Sequence, residues 1–385
     1  MTEPTGDAAW RARQRTRRRR EWLVQGALAL VVVGVLAAFG HNIAANLAAR
    51  GIHSGFDFLR DPAGFNIGEL LFDFTARDSY ARAFAVGMAN TLRVSAFGIV
   101  LASLLGVTVG LMRLSRHPLV AGIGSAWVEV FRNTPLVIQL LAIYLVVTEM
   151  LPDSSSAMAV EGIALLSKQG LQFAAPADGW AALAAALVVG LAAGFAAAAA
   201  ARRWLTVGAG LVGVLAGLVG AALAWLATGA FGGWSRPEVD GFLISGGIAL
   251  TPEFLALWLG LSLFTSSFIA ELVRAGVLAV PRGQSHAAYA LGLTARQAMA
   301  GVIFPQALRL VIPPLASQYM NLVKNSSLAV LIGYPDLVSI ANTSINQNGQ
   351  ALEVIVIIMA VYLTLNLVVA LAMGAVNARV TRAPR

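Results

Sequence analysis

Few residues of this 385-residue chain have the types and spacing that catalysis requires. There is no cysteine, so the chain can form no disulfide, thiol nucleophile or cysteine-ligated metal site. The two lysines, Lys168 and Lys324, do not follow a glycine, which excludes a GxxxxGK(S/T) phosphate-binding loop. The four histidines lie far apart and lack the spacing of metal ligands. They are His41, His53, His117 and His286. We therefore expect no catalytic residue, metal or cofactor in this chain.

Polar residues within apolar stretches are the next candidates. Glu129 lies three residues before Arg132, and Glu271 lies three residues before its own arginine, Arg274. Each pair can form an ion pair along one helix, which lowers the cost of charge near a membrane edge. Five further residues are candidates to line a water-filled path. They are Asn90, Gln139, Asn321, Lys324 and Asn366.

The segment 275–305 has a composition that a lipid-facing loop would not have. Ala287, Ala288 and Leu291 can share one helix face, and Gly292 removes a side chain where a short helix could end. Pro305 then starts or bends the next helix. The spacing predicts a compact helix-glycine-helix element whose surface of small residues fits the groove of a partner protein.

The composition of the whole chain places these residues in a membrane protein. Hydrophobic residues make up 58% of the chain and charged residues 12%, and the mean hydropathy is +0.75. A water-exposed fold could not bury so much apolar surface. The apolar runs are continuous and rich in Ala, Leu and Gly, which is typical of spanning helices and not of barrel strands. Much of the net charge of +8 lies in one N-terminal cluster and the rest lies beside these runs, so membrane topology explains it better than nucleic-acid binding.

Apolar runs long enough to cross a hydrocarbon core of about 30 Å recur along the chain. The sequence predicts eight such spans, at 23–39, 88–111, 128–147, 181–201, 205–227, 252–273, 305–323 and 354–376. Arginines cluster before the first span and after the second, fourth, sixth and eighth, while most acids lie in the other loops. Because positive residues stay in the cytoplasm, both termini are predicted to be cytoplasmic.

These spans give a predicted organisation of the chain. A basic cytoplasmic tail occupies 1–21, and a first span with a periplasmic segment occupies 22–84. A transmembrane domain at 85–376 precedes a cytoplasmic tail at 377–385. Within this domain, 152–237 has little polar chemistry and is interpreted as an inserted helical hairpin with its loops. Gly213 and Gly217 form a GxxxG pair there that lets two helices approach closely.

The segment 275–305 resembles the cytoplasmic loop of permeases from binding-protein-dependent ABC importers, in the polar amino-acid branch. That loop has Glu-Ala-Ala, a Gly four positions later, and a hydrophobic-x-Leu-Pro ending after nine more residues. This chain has Ala287, Ala288 and Gly292, then nine residues, then Val-Ile-Phe-Pro at 302–305. His286 replaces the usual Glu, and Phe304 replaces the usual Leu.

Three other segments extend the resemblance over most of the chain. They are Ala-Asn-Thr-Leu at 89–92, Glu-Val-Phe-Arg-Asn-Thr-Pro-Leu at 129–136 and Asn-Leu-Val-Lys-Asn-Ser-Ser-Leu at 321–328. The long eight-span form is most similar to the larger permease subunit of general L-amino-acid uptake systems. The resemblance implies a type I ABC importer permease core in the bacterial inner membrane.

The resemblance also implies partners. A second, homologous permease would form a heterodimer with this chain, and two ATP-binding subunits, which hold ATP and Mg, would dock on the cytoplasmic face. A periplasmic amino-acid-binding protein would deliver the amino acid. His286, Ala287, Ala288, Gly292 and Pro305 would form the ATPase-coupling loop, with Gly292 as hinge and contact.

An ion-coupled secondary amino-acid carrier is the alternative function. Such a carrier typically has inverted repeats, broken helices in pairs and buried acids at mid-membrane. In this chain the acids cluster near the ends of the spans, and no inverted repeat is visible. A channel, a sensor or a membrane enzyme would need a pore ring, an output domain or a catalytic group, and no segment resembles one.

Overall fold

The computed structural model describes residues 20, 22–28, 30–31, 33–35, 37–42, 55–160, 162–201, 209–241 and 243–381. Most of the basic tail predicted at 1–21 lies outside these ranges. So do His53 and the last residues of the C-terminal tail.

The described part of the chain is mostly helical, which confirms the predicted all-α membrane fold. Seven helices are long and apolar enough to cross a bilayer, and the number is eight if one bent pair counts as a single span. The seven are α1 (Trp22–Asn42), α2 (Tyr80–Met112), α5 (Gly179–Ala201), α6 (Ala209–Gly232), α7 (Pro252–Leu278), α10 (Phe304–Asn325) and α12 (Ala351–Thr381). The bent pair is α3 (Pro118–Asn133) and α4 (Leu136–Leu145). Shorter helices are α8 (Arg282–Ala290), α9 (Ala295–Ala298) and α11 (Leu337–Asn348).

The predicted third span, 128–147, is not one straight helix. The axes of α3 and α4 are bent by 102°. Pro135 explains the break, because the residue before a proline avoids the helical conformation, and Thr134 is extended. Gln139 lies just after the bend, and its Nε2 donates to the carbonyl oxygens of Phe131 and Thr134, both at 2.8 Å. It thereby satisfies carbonyls that the break leaves without a helical partner.

Helices α5 and α6 form a hairpin that packs closely on itself. Gly213 and Gly217 of α6 lie against Gly190 and Gly194 of α5. A Cβ on Gly217 would lie 2.9 Å from the carbonyl oxygen of Gly190, and a Cβ on Gly213 would lie 2.8 Å from that of Gly194. Only glycine allows this approach, so the predicted GxxxG pair has its partner within the same hairpin.

Short strands flank this hairpin, and the sequence analysis did not predict them. One antiparallel sheet has the order β1 (Met158–Val160), β2 (Ala164–Ser167), β3 (Gly170–Phe173) and β8 (Ile248–Leu250). Two further pairs are β4 (Ala175–Pro176) with β5 (Trp234–Ser235) and β6 (Glu238–Asp240) with β7 (Leu243–Ser245). Strands of two to four residues are too short to show an alternating pattern. The sheet joins both sides of the hairpin and continues beyond the predicted insertion, 152–237, to Leu250.

Helices α2 and α7 pack along each other and form the centre of the core. A Cβ on Gly106 of α2 would lie 2.5 Å from the Cβ of Ile269, so the two backbones meet closely there. At the N-terminal ends of α2 and α12, the chain from Gly55 to Ser79 covers a second cluster that includes Phe58 and Val354. The backbone N–H of Gly55 donates to Glu353 Oε1 at 2.9 Å. This segment is therefore an integral part of the fold.

Candidate functional site

The helix-glycine-helix element of the sequence is present as α8 and α9, joined at Gly292. Gly292 has φ +78°, in the left-handed region that favours glycine. Its N–H donates to the carbonyl oxygen of Tyr289 at 2.9 Å, and the N–H of Leu293 donates to that of Ala288 at 3.1 Å. This pair of hydrogen bonds is a Schellman motif, which ends α8 by satisfying its last carbonyls. No other atom lies within 4 Å of a Cβ built on Gly292, so the turn faces open space.

Helix α9 begins with a capping box. Thr294 Oγ1 accepts from the N–H of Gln297 at 3.4 Å, and Gln297 Oε1 accepts from the N–H of Thr294 at 2.9 Å. A π-helical turn, Met299–Ile303, then leads into α10. Pro305 lies in the first turn of α10, directly after this π-helical turn. Gly292 and Pro305 thus have the turn and helix-start positions that their types predict.

Only one face of α8 is held by the rest of the chain. Ala288 is 3% exposed, and α8 contacts the π-helical turn Met299–Ile303. Gln306 Nε2 also donates to Gln284 Oε1 at 3.1 Å.

The opposite face of α8 is free. His286 and Ala287 are exposed, and Leu291 is 82% exposed. The expectation that Ala287, Ala288 and Leu291 share a face is wrong for Ala288, which anchors α8 while the other two point outward.

The exposed face of this element is cationic. Arg282, His286 and Arg296 are all exposed, and residues 279–303 include no Asp or Glu. Leu291 and Tyr289 add apolar surface, with Tyr289 46% exposed. We name this surface the coupling surface, after the role that the resemblance implies, and define it as His286, Ala287, Tyr289, Leu291 and Gly292. Such a surface suits a protein groove that is apolar in its centre and acidic at its rim.

Of the candidates to line a path, Asn90 is buried inside the chain. Its Nδ2 donates to the carbonyl oxygens of Glu69 at 3.0 Å and Pro335 at 2.9 Å. The backbone carbonyl oxygen of Asn90 accepts from Tyr334 Oη at 3.2 Å. These bonds tie α2 to the segments on both sides, which gives Asn90 a structural role. Contact with a path stays a prediction for Asn90.

Gln139 and Asn366 also make local contacts. Gln139 is buried and bonds the end of α3, as described above. Asn366 is half-buried, and its Nδ2 donates to the carbonyl oxygen of Tyr362 at 2.7 Å within α12. For both residues, contact with a path stays a prediction.

Asn321 and Lys324 are placed differently. Both are exposed on α10, three residues apart on one face. Neither side chain makes a hydrogen bond or ion pair with any residue that the structure describes. They are therefore available to a ligand or to a partner chain.

The two predicted ion pairs have different outcomes. Glu271 pairs with Arg274 at 3.6 Å, as predicted, and also with Arg113 of α2. No ion pair joins Glu129 and Arg132 in the described part of the chain, so that prediction is wrong. Arg132 instead lies over the ring of Phe268, with its Cζ 5.6 Å from the ring centroid, which offers a cation–π contact.

A polar cluster that the sequence analysis missed joins three segments of the chain. Glu69, in the segment before α2, accepts from Arg93 of α2 at 2.5 Å and from Thr251 Oγ1 at 2.7 Å. The guanidinium of Arg93 also lies 4.3 Å from the ring centroid of Phe254 in α7. Burial raises the pKa of Glu69, and the nearby Arg93 opposes that rise. A lone arginine inside an apolar span was the available signal, because such a residue needs a partner.

A second buried carboxylate, Asp336, begins α11. Its Oδ1 accepts from the N–H of Ser339 at 2.8 Å, which is an N-cap, and Tyr362 Oη donates to its Oδ2 at 3.4 Å. Asp336 is fully buried, and burial raises its pKa to about 7. The Asp before an apolar helix start predicts the cap, but only the fold reveals its burial.

Comparison with known proteins identifies the class. Residues 98–382 match the family described as the binding-protein-dependent transport system inner membrane component. The match covers most of the chain, and the chain belongs to this family. It is thus an inner-membrane, multi-pass permease component, and the family does not support the ion-coupled carrier.

Curated relatives show which members of this family the chain is similar to. YhdX of Escherichia coli K12, provisionally named an amino-acid ABC transporter permease protein, is 43% identical and the match covers 94% of each chain. The general L-amino acid transport system permease protein AapQ of Rhizobium johnstonii is 40% identical, covering 92% of this chain and 91% of AapQ. BztB of Rhodobacter capsulatus, a glutamate/glutamine/aspartate/asparagine transport system permease protein, is 32% identical over 93% of both. A solved amino acid ABC transporter with histidines includes a chain that is 22% identical, with a TM-score of 0.47, covering 78% of this chain and 95% of that one.

Proposed function

We propose that this chain is the permease subunit through which an ATP-driven importer takes up L-amino acids across the bacterial inner membrane. The substrate class is supported by the names of YhdX, AapQ and BztB, which are all amino-acid permeases. Two ATP-binding subunits hold ATP and Mg and dock on the cytoplasmic face. A second, homologous permease pairs with this chain, and a periplasmic amino-acid-binding protein delivers substrate.

The coupling surface carries this proposal. It is a free, rigid protrusion: Ala288 and the capping box fix α8 and α9, while Gly292 and Leu291 face open space. Because α8 contacts the π-helical turn Met299–Ile303 that continues into α10, and Gln306 of α10 donates to Gln284 of α8, a displacement of α8 is transmitted to a membrane-spanning helix. Closure of the ATPase dimer on ATP would shift α8 and open the path toward the receptor, and hydrolysis would reset it.

For α8 and α9 to reach ATPases on the cytoplasmic face, both termini of the chain must lie in the cytoplasm. The helices then alternate correctly if α3 and α4 together make one crossing, so that α8 and α9 lie on the cytoplasmic side. The sheet of β1, β2, β3 and β8 and the two strand pairs beside it, β4 with β5 and β6 with β7, lie on the periplasmic side.

The test is co-purification of the tagged chain in mild detergent, with mass spectrometry of its partners. Gly292→Trp adds bulk to the coupling surface, and Gly349→Trp is the matched control. Gly349 has φ +73° and no neighbouring atom within 4 Å of its Cβ position, so the backbone strain is similar at the two sites. We expect wild type and Gly349→Trp to recover a second permease and an ATPase, and Gly292→Trp to lose the ATPase.

Two results would contradict the proposal. Recovery of the wild-type chain alone under gentle conditions would contradict its assignment to an importer. Normal ATPase recovery and uptake with Gly292→Trp would remove the coupling role of the turn.

A further inference from the structure

The strands that flank the hairpin of α5 and α6 leave apolar side chains exposed. In the sheet order β1, β2, β3 and β8, strand β1 lies at an edge, and all three of its residues are exposed. Met158 is 61% exposed and Val160 is 58% exposed. Charged residues or proline commonly protect a sheet edge from other chains, but β1 consists of Met, Ala and Val. This edge is therefore open to a partner.

The hairpin of β6 and β7 lies beside β1. Strand β7 contacts the 3₁₀ turn Ser154–Ser156, which directly precedes β1. Val239 and Leu243 of this hairpin are exposed, Leu243 by 66%. A two-stranded hairpin has little stability of its own, and neighbouring exposed apolar residues mark interaction sites. We define the outer surface as Met158, Val160, Glu238, Val239, Asp240 and Leu243.

Acidic residues accompany these apolar side chains. Glu238 and Asp240 are exposed on both sides of Val239 in the sequence. The segments 149–178 and 234–251, which contain all the strands, have six Asp or Glu and two Lys or Arg. One of these two, Lys168, is already paired with Asp153. Negative charge disfavours contact with anionic lipid headgroups, so the outer surface fits a protein with a basic face.

The sheet is attached directly to a core helix. Strand β8 continues into α7 at Thr251, which caps α7 and donates to Glu69 at 2.7 Å. A Cβ on Gly170 of β3 would overlap the carbonyl oxygen of Leu250, so β3 and β8 pack tightly at this point. A protein bound to these strands is therefore linked to the outer end of α7 through continuous backbone.

We propose that the outer surface is a docking site for the periplasmic amino-acid-binding protein. This inference rests on the proposed function, which puts the strands on the periplasmic side and requires that receptor there. The receptor contacts the outer surface with a face that is apolar in its centre and has Lys or Arg at its rim. The apolar centre supplies most of the affinity, and the opposite charges speed association.

The experiment measures the Kd of the receptor for the complete permease–ATPase complex in nanodiscs. The probe is the purified periplasmic protein that binds labelled L-glutamine and stimulates ATP hydrolysis by the wild-type complex. Leu243→Ser removes apolar surface, and the double substitution Glu238→Lys and Asp240→Lys reverses the charge. Glu149→Lys is the matched control, because Glu149 is an exposed acid at the end of α4, outside the outer surface.

We expect the substitutions in the outer surface to weaken docking by two different routes. Leu243→Ser should raise the Kd about tenfold at any salt concentration. The double substitution should raise the Kd about tenfold at low salt and remove most of the salt dependence of the association rate. Glu149→Lys should bind the receptor as the wild type does. Recovery of the second permease and the ATPase with each variant checks its assembly.

Four results would overturn the inference. An unchanged Kd in both Leu243→Ser and the double substitution would show that the receptor docks elsewhere. An equal loss with Glu149→Lys would show an effect of overall charge and not of a site. Loss of the second permease from either variant would assign the outer surface to that permease. A Kd that follows the share of anionic lipid in the nanodisc, and not the substitutions, would assign the outer surface to the membrane.

Receptor-dependent, ATP-driven uptake by the wild-type complex in proteoliposomes is measured alongside. A wild-type complex that neither binds the receptor nor shows this uptake would refute the proposed function itself. Normal wild-type uptake with unchanged docking of the variants would refute only the docking site.

Discussion

Two adjacent alanines on α8 have opposite roles. Ala288 is 3% exposed, whereas Ala287 faces outward. Both residues are alanines, so only the direction of each side chain separates the buried position from the exposed one. The residue types predicted a surface of small residues, but they did not predict which of the two alanines is buried.

We expect Ala288→Leu and Ala287→Leu to separate these roles. Ala288→Leu overpacks a buried position and should lower stability by about 1–3 kcal/mol. Ala287→Leu enlarges an exposed side chain, so it should leave the melting temperature unchanged and reduce ATPase co-purification. Thermal melts and co-purification of both variants provide the measurement. Equal melting temperatures for the two variants would contradict the assigned directions.

The buried carboxyl of Asp336 predicts a dependence of stability on pH. Its pKa is about 7 in the folded chain, above the ordinary value of 3.8, so the native state binds this proton more tightly than the unfolded state. Its contribution is therefore fully favourable below about pH 4 and is lost as the pH rises to about 7.

Asp336→Asn keeps an N-cap residue but cannot titrate. We expect the wild type to lose at least roughly 3 °C of melting temperature relative to this variant between pH 5 and pH 8. Thermal melts of the purified complex at the two pH values make the comparison. Parallel profiles for both proteins would show that Asp336 does not carry the effect.

At the scale of elements, the long apolar helices were predictable, since each needs only a continuous apolar run. The bend between α3 and α4 was not predicted, although Pro135 is its cause, because apolar residues continue on both sides of the proline. The cluster of Glu69, Arg93 and Thr251 was also missed. These residues are distant in sequence, and only the packing of the segment before α2 against α2 and α7 brings them together.

The close glycine contact between α5 and α6 can be tested by substitution. A leucine at Gly217 would meet the carbonyl oxygen of Gly190, with Cβ at 2.9 Å, and must push the two helices apart. We expect Gly217→Leu to lower the stability of the hairpin by about 1–3 kcal/mol. The change should appear as faster proteolysis of the hairpin in detergent.

Gly374→Leu is the matched control, because Gly374 lies in α12 with no atom within 4 Å of its Cβ position. Similar proteolysis rates for Gly217→Leu and Gly374→Leu would show that the glycine contact does not hold the hairpin together.

For the whole molecule, the structure separates two regions along the axis of the bundle. The coupling surface projects at one end, and the buried carboxylates of Glu69 and Asp336 lie toward the other end. Helix α10 joins them, because it follows the π-helical turn that α8 contacts and leads into Tyr334, which bonds to α2. A displacement of α8 can therefore be transmitted along α10 toward the opposite end of the bundle.

In the proposed function, ATP hydrolysis by a partner subunit drives amino-acid passage through this chain. The most direct measurement is uptake of labelled L-glutamine into proteoliposomes that hold the complete complex, with receptor outside and either ATP or an ion gradient supplied. We predict uptake that requires internal ATP and receptor and is unaffected by an uncoupler. Uptake that continues without ATP and collapses with the uncoupler would contradict the claim and identify an ion-coupled carrier.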